Sequence, residues 1–126
     1  MWRVLDGEAG DMINEGMSKY GIVPLAWYDA GARSFYNSKK AIMKPEDVSG
    51  LKIRVMNNDL YSGMVKALGG TPVPKPMPET YQMLQKGVVE GGVFPFEADK
   101  GWKLGEVTNY CTADFTAAYT TSFFVV

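Results

Sequence analysis

Arg54 stands in the middle of Gly50-Leu51-Lys52-Ile53-Arg54-Val55-Met56, an apolar stretch, in a chain with ten Lys and only three Arg. A planar guanidinium presents two parallel N–H donors that match a carboxylate, and it keeps its charge at any working pH; a Lys ammonium matches neither property. Taken alone, the pattern leaves two chemistries open. One is an ion pair with an Asp or Glu of a neighbouring strand, the commoner arrangement, and the other is capture of an anionic ligand. Covalent chemistry has less material. The chain has no His and a single Cys, Cys111, so no Cys–His or Ser–His pair can form within it and His-ligated zinc or iron is excluded. The acids Glu90, Glu97, Asp99 and Asp114 read as solvated loop and helix-start charges that nothing pairs, and a nucleophilic Cys111 would need a base from elsewhere. The expectation is a protein that is not an enzyme.

The elements that must position Arg54 follow from periodicity. Residues 6–19 suit a helix, with Met12, Ile13, Met17 and Tyr20 near helical spacing and Gly21 as a stop. The run 22–31 reads as a buried strand despite Pro24, and 33–42 as a second extended segment. Pro45 followed by two acids predicts a short helical turn closed by Gly50. A strand comes next, with Ile53 and Val55 on one face and Lys52, Arg54 and Met56 on the other. Asn58 or Asp59 caps a helix over 60–68 whose apolar face is Leu60, Met64, Val65 and Leu68. The Pro-rich stretch 71–77 is extended, 78–87 is helical with Tyr81, Leu84 and Gln85 along it, 88–96 is a strand, a short helix falls near 97–106, and 110–126 is β-rich. Strands alternating with helices over short connections predict an α/β unit with parallel strands.

Composition narrows the partners. At 126 residues, with 46% hydrophobic and 21% charged residues, the chain is an ordinary globular domain able to bury a core. Its net charge of −1 argues against nucleic acid or an anionic membrane surface. No run of 18 apolar residues is present, and the N-terminal stretch has no apolar signal-peptide core. The apolar Ser122-Phe123-Phe124-Val125-Val126 ends without a turn or polar cap, so the sequence reads as a piece of a longer chain, and self-association through that edge is expected.

Three spaced segments carry a resemblance: GIVPLAWYDAGARSFYNSKKAI, KPEDVSGLKIRVM and MVKALGGTPVPKPMPETYQMLQKGVVEGG. Over about residues 20–110 the chain resembles the extracytoplasmic solute-binding proteins of TRAP transporters, the DctP-like family. That resemblance implies an α/β fold of the periplasmic-binding-protein type, mostly the second α/β domain of a two-domain solute-binding fold. Residues 1–25 would be the helix and strand leading in from the first domain, 26–110 the ligand-binding α/β domain, and 111–126 truncated return strands. It further implies capture of an organic acid in the periplasm, delivery to a TRAP membrane permease for ion-driven uptake, and no cofactor. Arg54 matches the family's carboxylate-holding Arg and Arg33 a second Arg of the cleft, for which a hinge or interdomain ion pair is an equal alternative. Trp27 and Tyr28 precede it and either line the cleft or belong to the core.

Two departures from the family pattern bear on the ligand. Where the family commonly has an Asn that bonds the carboxylate, this chain has Phe94; where it has Phe-Ser, this chain has Met77-Pro78. Losing such a donor costs on the order of 1–3 kcal/mol unless another group donates, and Asn57, Asn58 and the run Thr120–Ser122 are the candidates. The expected ligand is a monocarboxylate with an apolar or aromatic body, not a C4-dicarboxylate. The alternative reading is an extracytoplasmic sensory domain of a signalling protein with the same fold.

Overall fold

The computed structural model describes residues 2–112 and 118–125. Two compact units divide the chain, Met1–Gly31 with Thr120–Val126, and Ala32–Tyr119. The first carries helices α1 (Trp2–Leu5) and α2 (Glu8–Ser18). Helical spacing placed one helix over 6–19; the structure has it as α2, with Asp6-Gly7 separating it from α1, and Met12, Ile13 and Tyr20 are exposed. The two extended segments expected at 22–31 and 33–42 are one strand, β1 (Pro24–Asn37), which begins at Pro24, where a missing N–H is harmless.

In the second unit a 3-10 turn (Pro45–Val48) leads into β2 (Lys52–Val55). Its Asp47 Oδ2 accepts from the N–H groups of Met43 and Lys44 at 3.0 and 3.1 Å, which closes the loop and holds the carboxyl below its ordinary value. Helix α3 (Asp59–Ala67) is capped by Asn58, whose Oδ1 accepts from Tyr61 N–H at 2.9 Å. Then come β3 (Thr71–Pro74), α4 (Met77–Gln85), β4 (Gly91–Pro95), α5 (Phe96–Trp102), a second 3-10 turn (Leu104–Glu106), β5 (Tyr110–Cys111) and β6 (Ala118–Val125).

The sheet order is β3-β2-β4-β1-β5, with β6 also pairing β1. As the alternation of strands and helices predicts, β2, β3 and β4 run parallel. The long β1 does not belong to that repeat and pairs antiparallel with both β4 and β5. On the edge strand β3, Thr71 and Lys75 donate to Leu51 and Val55 carbonyls, which leaves Pro72 and Pro74 toward the open side. That edge offers few donors to another strand.

Burial is two-sided. One core packs Phe35, Ile53, Val55 and Val93 against Tyr61 and Val65 of α3; the other packs Tyr36 and Phe94 against Leu84 and Leu104. Each fully buried large apolar side chain contributes about 1.5–3 kcal/mol relative to exposure. The apolar face assigned to α3 is rotated by one position: Leu60 is 73% exposed and Tyr61 takes its place inside. Both faces of β2 are covered near its centre, so Arg54, on the face opposite Ile53 and Val55, is only 3% exposed.

Candidate functional site

From β2 the chain passes through α3 to β3 on one side, then through α4 to β4 on the other. The two helices therefore lie against opposite faces, and the strand order reverses at β2. Beyond the carboxyl ends of parallel strands at such a reversal, no crossover covers the sheet and a crevice is left. A pocket of about 390 Å³ lies there. Arg54, Met56 and Asn57 line it from β2 and its exit, Lys75, Pro76 and Met77 from the exit of β3, and Phe94 and Pro95 from the end of β4. Ala98 and Trp102 of α5 and Arg33 of β1 complete the wall.

Arg54 is the centre of this arrangement. Its register partner on β4 is Gly92, so its side chain rises on the face shared with Tyr36 and Phe94. A Cβ at Gly92 would fall within the Phe94 ring. The bare backbone there lets the ring lie flat, and the Arg54 Cζ sits 5.6 Å from its centroid, within cation–π range. Arg54 Nε donates to the Lys75 carbonyl at 2.8 Å, which fixes the guanidinium plane. Among the described residues the terminal nitrogens have no carboxylate partner, and no Asp or Glu lines the pocket. Lys75 directs its own charge to Glu79, at 3.3 Å.

Removing a cation from water without a counter-charge costs several kcal/mol. Burial, with the nearby Arg33 charge second, accordingly pushes the Arg54 guanidinium below its ordinary value. An anion placed in the pocket would reverse both effects, and two parallel N–H groups suit a carboxylate.

Arg33 arrives from the other side. Its register partner is Pro95, so it leaves the sheet on the face of Phe35 and Val93, and its Cζ lies 5.4 Å from the centroid of the Tyr61 ring. The ion-pair reading for Arg54 thus has no partner in the described sheet, whereas Arg33 joins it at one pocket.

Of the residues singled out from the sequence, Arg54, Arg33, Phe94, Met77 and Asn57 line this pocket, and Asn58 lines another hollow. Trp27 does not line the Arg54 pocket: it stands six residues earlier on β1 and lines a separate hollow with Asp6, Asp11 and Asn14. Phe94 is almost wholly buried, so it is more a floor under Arg54 than an open surface. Thr120–Ser122 lie on β6, and Asp114 falls outside the described residues. Trp102, Ala98 and the Lys75 carbonyl were not anticipated. The spacing of four between Ala98 and Trp102, on a helix that starts where β4 ends, was the available signal for one shared face.

Comparison with known proteins accords with this geometry. The sequence profile of bacterial extracellular solute-binding protein family 7, DctP, matches residues 1–126. A solved TRAP periplasmic solute-binding protein of Roseobacter denitrificans with bound β-D-glucuronate superimposes at a TM-score of 0.84 with 52% identity, covering 88% of this chain and 37% of that one. The counterpart of Sulfurospirillum deleyianum with bound succinate gives a TM-score of 0.88 at 35% identity, over 98% of this chain and 39% of that one. A solute-binding protein of Chromohalobacter salexigens is 39% identical over 110 residues, 87% of this chain and 33% of its own length. The chain spans about a third of the length of the curated relatives it matches. No helix among the described residues is long and apolar enough to cross a membrane. With a mixed α/β sheet like theirs and a profile match along its whole length, the chain belongs to the DctP family of bacterial extracellular solute-binding proteins.

Proposed function

We propose that this chain supplies the carboxylate-anchoring half of a periplasmic solute-binding protein that captures a sugar acid and hands it to a TRAP-type membrane permease. The observation that carries the proposal is Arg54: a buried guanidinium, held by a backbone carbonyl and an aromatic ring, with no carboxylate partner among the described residues. Arg54 binds the ligand carboxylate through paired N–H donors, Arg33 adds charge from the opposite side, and Asn57 offers an amide in place of the donor lost at Phe94.

The body of the ligand is assigned to a hexuronate. This revises the expectation of an apolar or aromatic acid, because the neighbour at 52% identity holds glucuronate. A pyranose has one face of C–H groups, and Trp102, 44% exposed on the pocket wall, offers a flat surface to it. Succinate has no such face and no ring to stack.

Calorimetric titration of D-glucuronate, D-galacturonate, succinate and hydrocinnamate, with an Arg54→Ala control, tests the reading. The expected result is heat with the uronates that vanishes in Arg54→Ala. Unchanged uronate binding in that variant would remove the anchor, and tighter binding of succinate or hydrocinnamate would remove the uronate assignment.

A further inference from the structure

We infer that Tyr61 is a positioning residue, whose ring holds the Arg33 guanidinium at the mouth of the pocket. The inference rests on the reading of that pocket as a carboxylate site. Arg33 and Arg54 line the same hollow although their side chains leave opposite faces of the sheet. Like charges at one pocket repel, and Arg33 is only partly buried, so a ring that favours one placement of its guanidinium has an effect there. The Tyr61 ring of α3 lies 5.4 Å from the Arg33 Cζ and supplies a negative face to it. Tyr61 itself does not move easily. It is 4% exposed, packed among Phe35, Val55 and Val65, and its N–H is tied to the Asn58 cap.

The Tyr61 hydroxyl is buried without a hydrogen-bond partner. Hydrogen bonding therefore does not explain the residue, and the ring face is the part that meets another functional group. The arrangement mirrors Arg54 over Phe94, so each cation at the pocket is set on an aromatic ring from its own side of the sheet.

Nuclear magnetic resonance and calorimetry on this chain separate the possibilities. The side-chain protons of Arg33 should show an upfield ring-current shift in the folded wild type, retained in Tyr61→Phe and lost in Tyr61→Leu. Absence of the shift in the wild type would overturn the inference, and that measurement needs no variant to fold. With D-glucuronate as probe, Tyr61→Leu should weaken binding by about 2- to 30-fold, the span of a cation–π contact, while Tyr61→Phe restores it. In an Arg33→Met background Tyr61→Leu should change nothing further; an equal loss there would show that Tyr61 acts through packing alone, and would overturn the inference. No heat from the wild type would count against the carboxylate reading, while the ring-current shift still decides the placement of Arg33.

Discussion

Arg54 and Arg33 reach one pocket from opposite faces of a single sheet, and the two faces hold them differently. On the side of α4 and α5, Arg54 is buried, its plane is locked by the Lys75 carbonyl, and the Phe94 ring lies beneath it across a bare Gly92. On the side of α3, Arg33 is partly exposed and rests on a ring whose hydroxyl is unsatisfied. The first arrangement fixes a direction for a planar pair of donors. The second brings charge to the same pocket from a more exposed position. Under the proposed function, the pre-organised Arg54 would carry most of the recognition of a ligand carboxylate and Arg33 less.

Breaking the rigid side should have the largest effect. Arg54→Ala is expected to reduce uronate affinity by about 100-fold or more in calorimetry, since charged hydrogen bonds contribute roughly 1.5–3 kcal/mol each. Arg54→Met should at the same time raise the melting temperature of the unliganded protein, because it removes a buried cation that no carboxylate among the described residues meets. A melting temperature that falls instead would mean that Arg54 is chiefly a structural residue.

Gly92→Ala attacks the same side through its floor. The added methyl displaces the Phe94 ring, so a stability loss of about 1–3 kcal/mol by denaturant titration is expected, with weakened uronate binding. Unchanged binding would show that the Arg54 guanidinium holds its place without the ring.

Arg33→Ala probes the more exposed side and should cost about tenfold in affinity, less than Arg54→Ala. Equal losses at the two positions would erase the distinction drawn between them. Trp102→Ala should be milder still, a few-fold loss for glucuronate with none for succinate, and little change in stability, since the ring is nearly half exposed. The smallest effect is expected from Tyr61→Phe, which removes an unsatisfied buried hydroxyl and should raise stability by about 1 kcal/mol without changing affinity.

Much of this was legible in the chain itself. The Asn58 cap, the Pro-opened turn before β2, the extended Pro-rich β3 and the alternation of strands with helices follow from local propensities, which act over a few residues. Arg54 was conspicuous for the same reason, as a guanidinium in an apolar strand. Periodicity failed at α3, where Leu60 and Tyr61 each satisfy a helical spacing and the sheet chooses between them. Trp27 lines a different hollow from the one that Arg33 lines.

The sequence by itself determined the kind of element at most positions and the kind of chemistry available: a carboxylate-matching guanidinium, with no His to build a nucleophile. Tertiary structure decided which residues share a site, because strand register and the reversal of order at β2 depend on pairings between distant segments. Those pairings put Arg33, Arg54 and Trp102 around one hollow. No spacing along the chain encodes that Arg54 is buried with no carboxylate partner among the described residues; it follows only when helices cover both faces of the sheet.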